Sequence, residues 1–131
     1  MTAAADTNVL LDVIQRNPRY FSQSIEWLNI ARSRGTVVIC AIVYGELVPA
    51  VSNKTELDDT LEDLGIALSP IDDAIAYEAG LRWQRYRESG GTRARLLPDF
   101  LIGAHALVSA DTFLTRDQGF YLTYFPELQE L

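Results

Sequence analysis

Leu96-Leu97-Pro98-Asp99-Phe100-Leu101-Ile102-Gly103-Ala104-His105-Ala106-Leu107, followed by Asp111-Thr112-Phe113-Leu114-Thr115-Arg116-Asp117, is the stretch whose reading decides the fold. Pro98 suits the start of a helix, where its missing N–H leaves no bond unmade. The residues from there through Val108 are apolar or small nearly all round, which predicts a helix buried in a core. Phe113-Leu114 predicts a short buried strand, and Thr115-Arg116-Asp117 sets a carboxylate where that strand ends. Asp99 at the mouth of a core helix and Asp117 at a strand end suggest a shared pocket. Each also has an ordinary structural explanation: Asp99 favours the positive end of its helix, and Asp117 caps a turn before Gly119.

Working outward, Ala3-Ala4-Ala5 reads as a short buried strand, Asp6-Thr7-Asn8 as a polar turn, and Val9 to Ile14 as a helix. Asp6 or Asn8 is placed to cap that helix, and for Asn8 this role is preferred over a site role. Asn17-Pro18 breaks the pattern. Phe21, Ile25, Leu28 and Ala31 then predict a second helix that stops at Gly35. Thr36-Val37-Val38-Ile39-Cys40 is the signature of a strand covered on both faces, which implies a parallel sheet. A helix from Ile42 to Val51 follows. It carries Glu46 beside Ile42, Val43 and Ala50, a costly place for an unpaired carboxylate. Leu57, Leu61 and Leu64 line one face of the next helix, while Asp58, Asp59, Glu62 and Asp63 form a solvated face. Ile66-Ala67-Leu68 is a third strand. Asp72 then caps a long helix that turns Ile75, Ala79, Trp83 and Tyr86 inward. Gly119 to Phe125 predicts an aromatic helix or turn, and Leu128 to Leu131 an edge strand or simply the chain end. Short apolar strands alternating with amphipathic helices predict one α/β domain over residues 1–131, a three-layer α/β/α sandwich on a mainly parallel sheet.

The 131 residues are 48% hydrophobic, enough for a core without disulfides. Cys40 has no partner and lies in an apolar run, so it reads as a core residue of a reducing compartment. No basic leader and no run of membrane-spanning length is present, so the expectation is a cytoplasmic protein with no membrane association. The net charge of −7 argues against a broad basic surface for nucleic acid. Any such contact has to be local. Arg82, Arg85, Arg87, Arg93 and Arg95 supply five of the eleven basic residues within fourteen positions, and Arg93 and Arg95 lie on the glycine-led loop 90–95, from which they can reach a phosphate.

In a parallel α/β sheet, ligands gather at the carboxyl ends of the strands. Asp6 ends the first strand, Glu46 follows the second, Asp117 follows the last, and Asp99 is placed to join them. Carboxylates converging without an obligatory cationic partner resist ionising together unless a hard divalent ion neutralises them. Mg2+ or Mn2+ suits oxygen ligands, activates water and steadies displacement at phosphorus. The residues themselves thus lead to metal-dependent phosphoryl chemistry.

The set Asp6-Thr7-Asn8-Val9-Leu10, Tyr44-Gly45-Glu46-Leu47, Pro98-Asp99-Phe100-Leu101-Ile102-Gly103-Ala104-His105-Ala106 and Leu114-Thr115-Arg116-Asp117 resembles the PIN-domain ribonucleases, particularly the VapC-like toxins of bacterial toxin–antitoxin pairs. The resemblance covers essentially the whole chain. It implies that Asp6, Glu46, Asp99 and Asp117 bind magnesium and position the attacking water, with Thr115 the hydroxyl beside them. It further implies an RNA substrate, an antitoxin partner and a homodimer. Aliphatic and aromatic residues of the helices at 21–31 and 57–64 are the expected surface for pairing. Gly119 stands where relatives carry a further polar residue, and Asp111 reads as a turn residue away from the ligand end. The competing function is a catalytically silent interaction module whose acidic cleft receives a basic segment. A phosphoacceptor receiver domain or a dehalogenase-type phosphatase fits less well: Lys54 is the only lysine, and Asn8 stands where the phosphatase needs a second Asp.

Overall fold

The computed structural model describes residues 1–92 and 95–129. In chain order the elements are β1 (Thr2–Ala5), α1 (Thr7–Ile14), α2 (Phe21–Arg34), β2 (Thr36–Ile39), α3 (Ala41–Leu47), a 3₁₀ turn (Val48–Ala50), α4 (Lys54–Asp63), β3 (Ile66–Leu68), α5 (Asp73–Glu88), α6 (Leu97–Ser109), β4 (Thr112–Leu114) and α7 (Gln118–Tyr124). The four strands form one all-parallel sheet in the order β3-β2-β1-β4. With its flanking helices this is the three-layer α/β/α arrangement that the alternating pattern predicts.

The strand order fixes where a ligand belongs. The chain steps from β1 to β2 to β3 in one direction and then returns through α5 and α6 to lay β4 on the other side of β1. The carboxyl ends of β1 and β4 therefore flank the switch point, where such sheets open a crevice. Register places Ala5 opposite Leu114, so residues 6 and 115 leave the sheet side by side. The Asp6 N–H donates to the Leu114 carbonyl at 2.9 Å and extends the pairing by one step.

Alanine favours helix locally, yet Ala3, Ala4 and Ala5 form one of the two interior strands because burial between two neighbours outweighs that preference. They are no more than 2% exposed. The core helix α6 shows the same economy of volume. At Gly103 an added Cβ would lie 2.6 Å from the Phe125 ring, so only glycine lets the two pack.

Several details depart from the sequence expectation. The helix predicted from Ile42 to Val51 is α-helical only through Leu47, because Pro49 lacks an N–H and its ring crowds the carbonyl four residues back. Glu46 is exposed rather than pressed among Ile42, Val43 and Ala50. No edge strand forms at the C-terminal end of the described residues. Instead the Gln129 carbonyl accepts the Phe113 N–H at 3.0 Å and the Thr112 hydroxyl at 2.8 Å, which blunts the free edge of β4. The remainder of the stretch expected there, residues 130 and 131, lies outside the described residues. Leu57 and Leu61 are covered by the chain's own core, so they offer no pairing surface. Asp111 marks the opposite end of the sheet, as expected, where its carboxylate accepts the Thr2 N–H at 2.8 Å.

A buried ion pair missed by sequence reasoning ties the first two helices to the end of β4. Asp12, 2% exposed in α1, receives the Arg116 guanidinium through Nε at 2.7 Å and Nη2 at 3.0 Å, and the Ser24 hydroxyl of α2 at 2.7 Å. The guanidinium also lies 3.8 Å from the centroid of the Tyr20 ring. Removing one partner strands the others, since a buried group left unpaired keeps its desolvation penalty. Asp12→Ala is expected to cost about 3 kcal/mol, at the low end for a broken buried pair because Arg116 still reaches water. Chemical denaturation checks this. A loss below about 0.5 kcal/mol would make the pair incidental.

Candidate active site

Asp6 is the centre of the crevice. It is the N-cap of α1, 6% exposed, and its Oδ1 accepts the Thr7 N–H at 2.8 Å. Oδ2 accepts the Thr115 hydroxyl at 2.7 Å across the β1–β4 boundary and the Asn8 amide at 3.3 Å. Burial pushes the Asp6 carboxyl up to about 6, against the pull of the Thr115 and Thr7 hydrogen bonds; the negative charges of Glu46 and Asp117 push in the same direction as burial. A carboxylate so placed is short of positive charge.

The whole Asp6-Thr7-Asn8 turn is engaged, which the capping explanation did not foresee for Asn8. Asn8 is no cap. Its amide side chain spans the switch point, donating to Asp6 and accepting the Arg116 backbone N–H at 3.2 Å. The Thr7 hydroxyl donates to Glu46 Oε1 at 2.7 Å and so draws the exposed Glu46 of α3 toward the crevice. Thr115 does two jobs: it donates to Asp6, and its oxygen accepts the Asp117 N–H at 3.0 Å, folding the strand end so that Asp117 turns back beside Asp6.

Asp99 serves its helix and shares Arg95 with Asp117. Its Oδ2 accepts the Leu96 N–H at 3.2 Å at the start of α6, so the structural explanation holds without excluding the other. Tyr121 of α7 lies beneath the acids, and its hydroxyl donates to the Asp99 carbonyl at 3.3 Å. Burial, followed by the charges of Asp6, Asp99 and Asp117, pushes its phenol far up, so it remains a protonated donor. Nothing in the aromatic stretch 120–125 distinguished Tyr121 from its neighbours before folding.

Arg95, expected on its loop as a phosphate contact, is paired with the acids themselves. Arg95 Nη1 stands 2.6 Å from Asp117 Oδ2 and 4.0 Å from Asp99 Oδ1, while its guanidinium lies 4.3 Å from the centroid of the Phe120 ring. Rather than projecting from a loop, Arg95 lies folded against the crevice. Arg93 lies outside the described residues. Among the described residues no three carboxylate, thiolate or imidazole side chains surround one point as ion ligands would. The donor set still fits a hard cation: four carboxylates, one of them buried and resisting ionisation, against a single guanidinium. Cys40 and His105 are buried groups, burial raising the thiol and lowering the imidazole, and among the described residues the His105 Nε2 has no hydrogen-bond partner.

The PIN domain model matches residues 3–126, from the first strand to the last helix. The chain belongs to the PIN-domain family. Its fold is similar to that of VapBC2 from Rickettsia felis, bound to a DNA fragment from their promoter, with TM-score 0.71 and 20% identity over 100% of this chain and 98% of the other. It is similar also to VapBC-1 from nontypeable Haemophilus influenzae, with TM-score 0.69 and 18% identity over 100% and 97%. No curated relative matches by sequence. The family expected from the four acidic motifs is thus borne out.

The Asp6 environment gives a signed pH dependence. Because the folded value near 6 exceeds the unfolded 3.8, the native state holds the extra proton between those limits. The associated stability is full below about pH 4 and lost as pH rises through 6. Asp6→Asn removes that dependence. In chelator the variant should gain on the parent steadily from pH 4 to 7, by up to about 3 kcal/mol. Denaturant unfolding across that range checks it, and a difference independent of pH would show that Asp6 ionises without penalty.

Proposed function

We propose that this chain is a metal-dependent endoribonuclease acting as the toxin of a toxin–antitoxin pair, with Mg2+ as its ion and Mn2+ as a substitute. The observation that carries the reading is Asp6: a buried carboxylate at the switch point whose ionisation is opposed by burial and by Glu46 and Asp117. Asp6, Glu46, Asp99 and Asp117 would hold the ion, which when bound supplies a Lewis acid and an activated water for attack at the RNA phosphodiester. The protein's own part is placement. Thr115 and Asn8 fix the Asp6 carboxylate, Thr7 orients Glu46, and Arg95 offers a phosphate a cation at the edge of the acids. The structural neighbours are VapBC assemblies; for this chain the same reading proposes an antitoxin whose basic segment covers the acids in a soluble, cytoplasmic complex. Among the described residues no helix is long and apolar enough to cross a membrane.

Homodimerisation belongs to the proposal, through the helix at 21–31 as expected or through apolar surface elsewhere, Leu57 and Leu61 being covered. Val48 and Leu68, 52% and 57% exposed, leave apolar surface toward the β3 edge. A second functional reading, the silent module, is favoured by Arg95, which already gives Asp117 and Asp99 a counter-ion. Cleavage of a cellular RNA pool separates the two. The parent should cut with magnesium and stop with chelator, while Asp117→Asn should lose at least about two orders of magnitude in rate because it removes a ligand charge. Cutting that survives chelator, or is unchanged in Asp117→Asn, would end the proposal.

Arg95 yields a separate expectation. It competes for the acids with any bound cation, so Arg95→Gln should bind Mn2+ more tightly. A partly exposed pair is worth at most about 1 kcal/mol, which limits the gain to about fivefold. Calorimetric titration reads this without turnover. Weaker Mn2+ binding in Arg95→Gln would mean that Arg95 supports the acids' geometry rather than competing with the ion.

A further inference from the structure

Beyond the acids, a cleft of about 430 Å3 opens between the end of α5 and the segment leading into α6, lined by Trp83, Arg87, Gly91, Thr92, Arg95 and Leu96. Trp83 and Arg87 are one helical turn apart on α5, and the Arg87 guanidinium lies over the indole, 4.9 Å from its centroid. Arg87 is exposed and has no carboxylate within ion-pair distance among the described residues, in a chain whose net charge is −7. By contrast Arg82, one turn before Arg85 on the same helix, is fully occupied by Glu78, Glu127 and the Tyr124 carbonyl. The wall opposite Arg87 is held in place by Gly91: its N–H donates to the Tyr86 carbonyl at 2.8 Å, and a Cβ there would lie 2.5 Å from that oxygen. Leu96, 57% exposed, adds an apolar surface. Arg95 belongs to both places, lining this cleft while its guanidinium touches Asp117.

We propose that this cleft is a base-stacking subsite for single-stranded RNA, which holds the nucleotide next to the bond to be cut. The base lies on the Trp83–Arg87 stack and against Leu96, and the phosphate on the acid side of that nucleotide meets Arg95. Stacking on an aromatic ring or a guanidinium plane suits any unpaired base, whereas a duplex keeps its bases stacked on one another and cannot offer a face. The subsite therefore selects single strands with little preference for sequence. This explains physically how an acidic protein can take a polyanion: the cations that matter are Arg87 and Arg95, concentrated at one cleft rather than spread over a surface. The choice of RNA rests on the nuclease reading of the adjoining acids.

The test uses the whole chain in chelator, where no cutting is expected, with Trp27→Phe so that Trp83 is the only indole. A mixed-sequence single-stranded oligoribonucleotide should change Trp83 emission on binding, and the same strand annealed to its complement should not. Arg87→Ala, at an exposed position, should weaken single-strand binding between about fivefold and a hundredfold and reduce its salt slope; Trp83→Ala should do at least as much where it remains folded by circular dichroism. Should Trp83→Ala unfold, Arg87→Ala and the emission change decide alone. Binding that leaves Trp83 emission unchanged and is equal in Arg87→Ala, or duplex binding as tight as single-strand binding, overturns the subsite. Cleavage in magnesium by the parent is scored separately: cutting with an unaffected Arg87→Ala overturns only the subsite, while stacking without cutting in any divalent ion overturns only the nuclease reading.

Discussion

The parallel pairing of β1 with β4 is the constraint on which the site depends. It brings Asp6 and Thr115, 109 residues apart, to a 2.7 Å hydrogen bond at the edge of the sheet. Without that pairing Asp6 would be an ordinary helix cap in water, with no reason to resist ionisation. With it, the carboxylate is buried beside α3, from which Thr7 gathers Glu46, and beside the strand end, from which Thr115 turns Asp117 inward. One register therefore assembles the acids. The Asp12–Arg116 pair reinforces it from behind, because Arg116 stands between Thr115 and Asp117 and is anchored to α1 and α2.

Electrostatics and packing oppose each other in the crevice, and the balance explains its resting form. Burial raises the cost of negative charge at Asp6, while the fold gives the neighbouring acids few donors. Arg95 relieves part of that cost at Asp117 and Asp99, its guanidinium resting on Phe120. The same side chain faces the stacking cleft of Trp83 and Arg87. A single arginine thus adjoins the charge-poor acids and the cleft proposed to take an unpaired base. Any ligand that changes the charge of the acids changes what Arg95 is free to bind.

Individual residues show why parts of the site could be read in advance and others not. Asp6, Asp99 and Asp117 were visible because each stands at a predictable element boundary, and boundaries follow from local rules about prolines, caps and apolar runs. Glu46 stood out for a reason the structure overturns: the expectation was a carboxylate buried on its helix, whereas it lies exposed on α3, tethered by Thr7. Asn8 was assigned to capping because local chemistry cannot see a backbone N–H more than a hundred residues away. Tyr121 and Asp12 had no local signature, since their partners lie on other elements; Arg95 stood out in the arginine-rich loop, but its pairing with Asp117 across the fold did not.

Sequence by itself determined the alternation of strands and helices, the parallel character of the sheet and the acids at its carboxyl end, because periodicity and element boundaries are properties of neighbouring residues. Tertiary structure alone decided that β4 lies beside β1. That placement raises the Asp6 carboxyl and sets Asp117 within reach of Arg95, while the packing of α5 beside the segment before α6 forms the Trp83–Arg87 cleft. Burial and charge act through space, and distances in space between residues 6, 87, 95 and 117 exist only once the chain has closed its sheet.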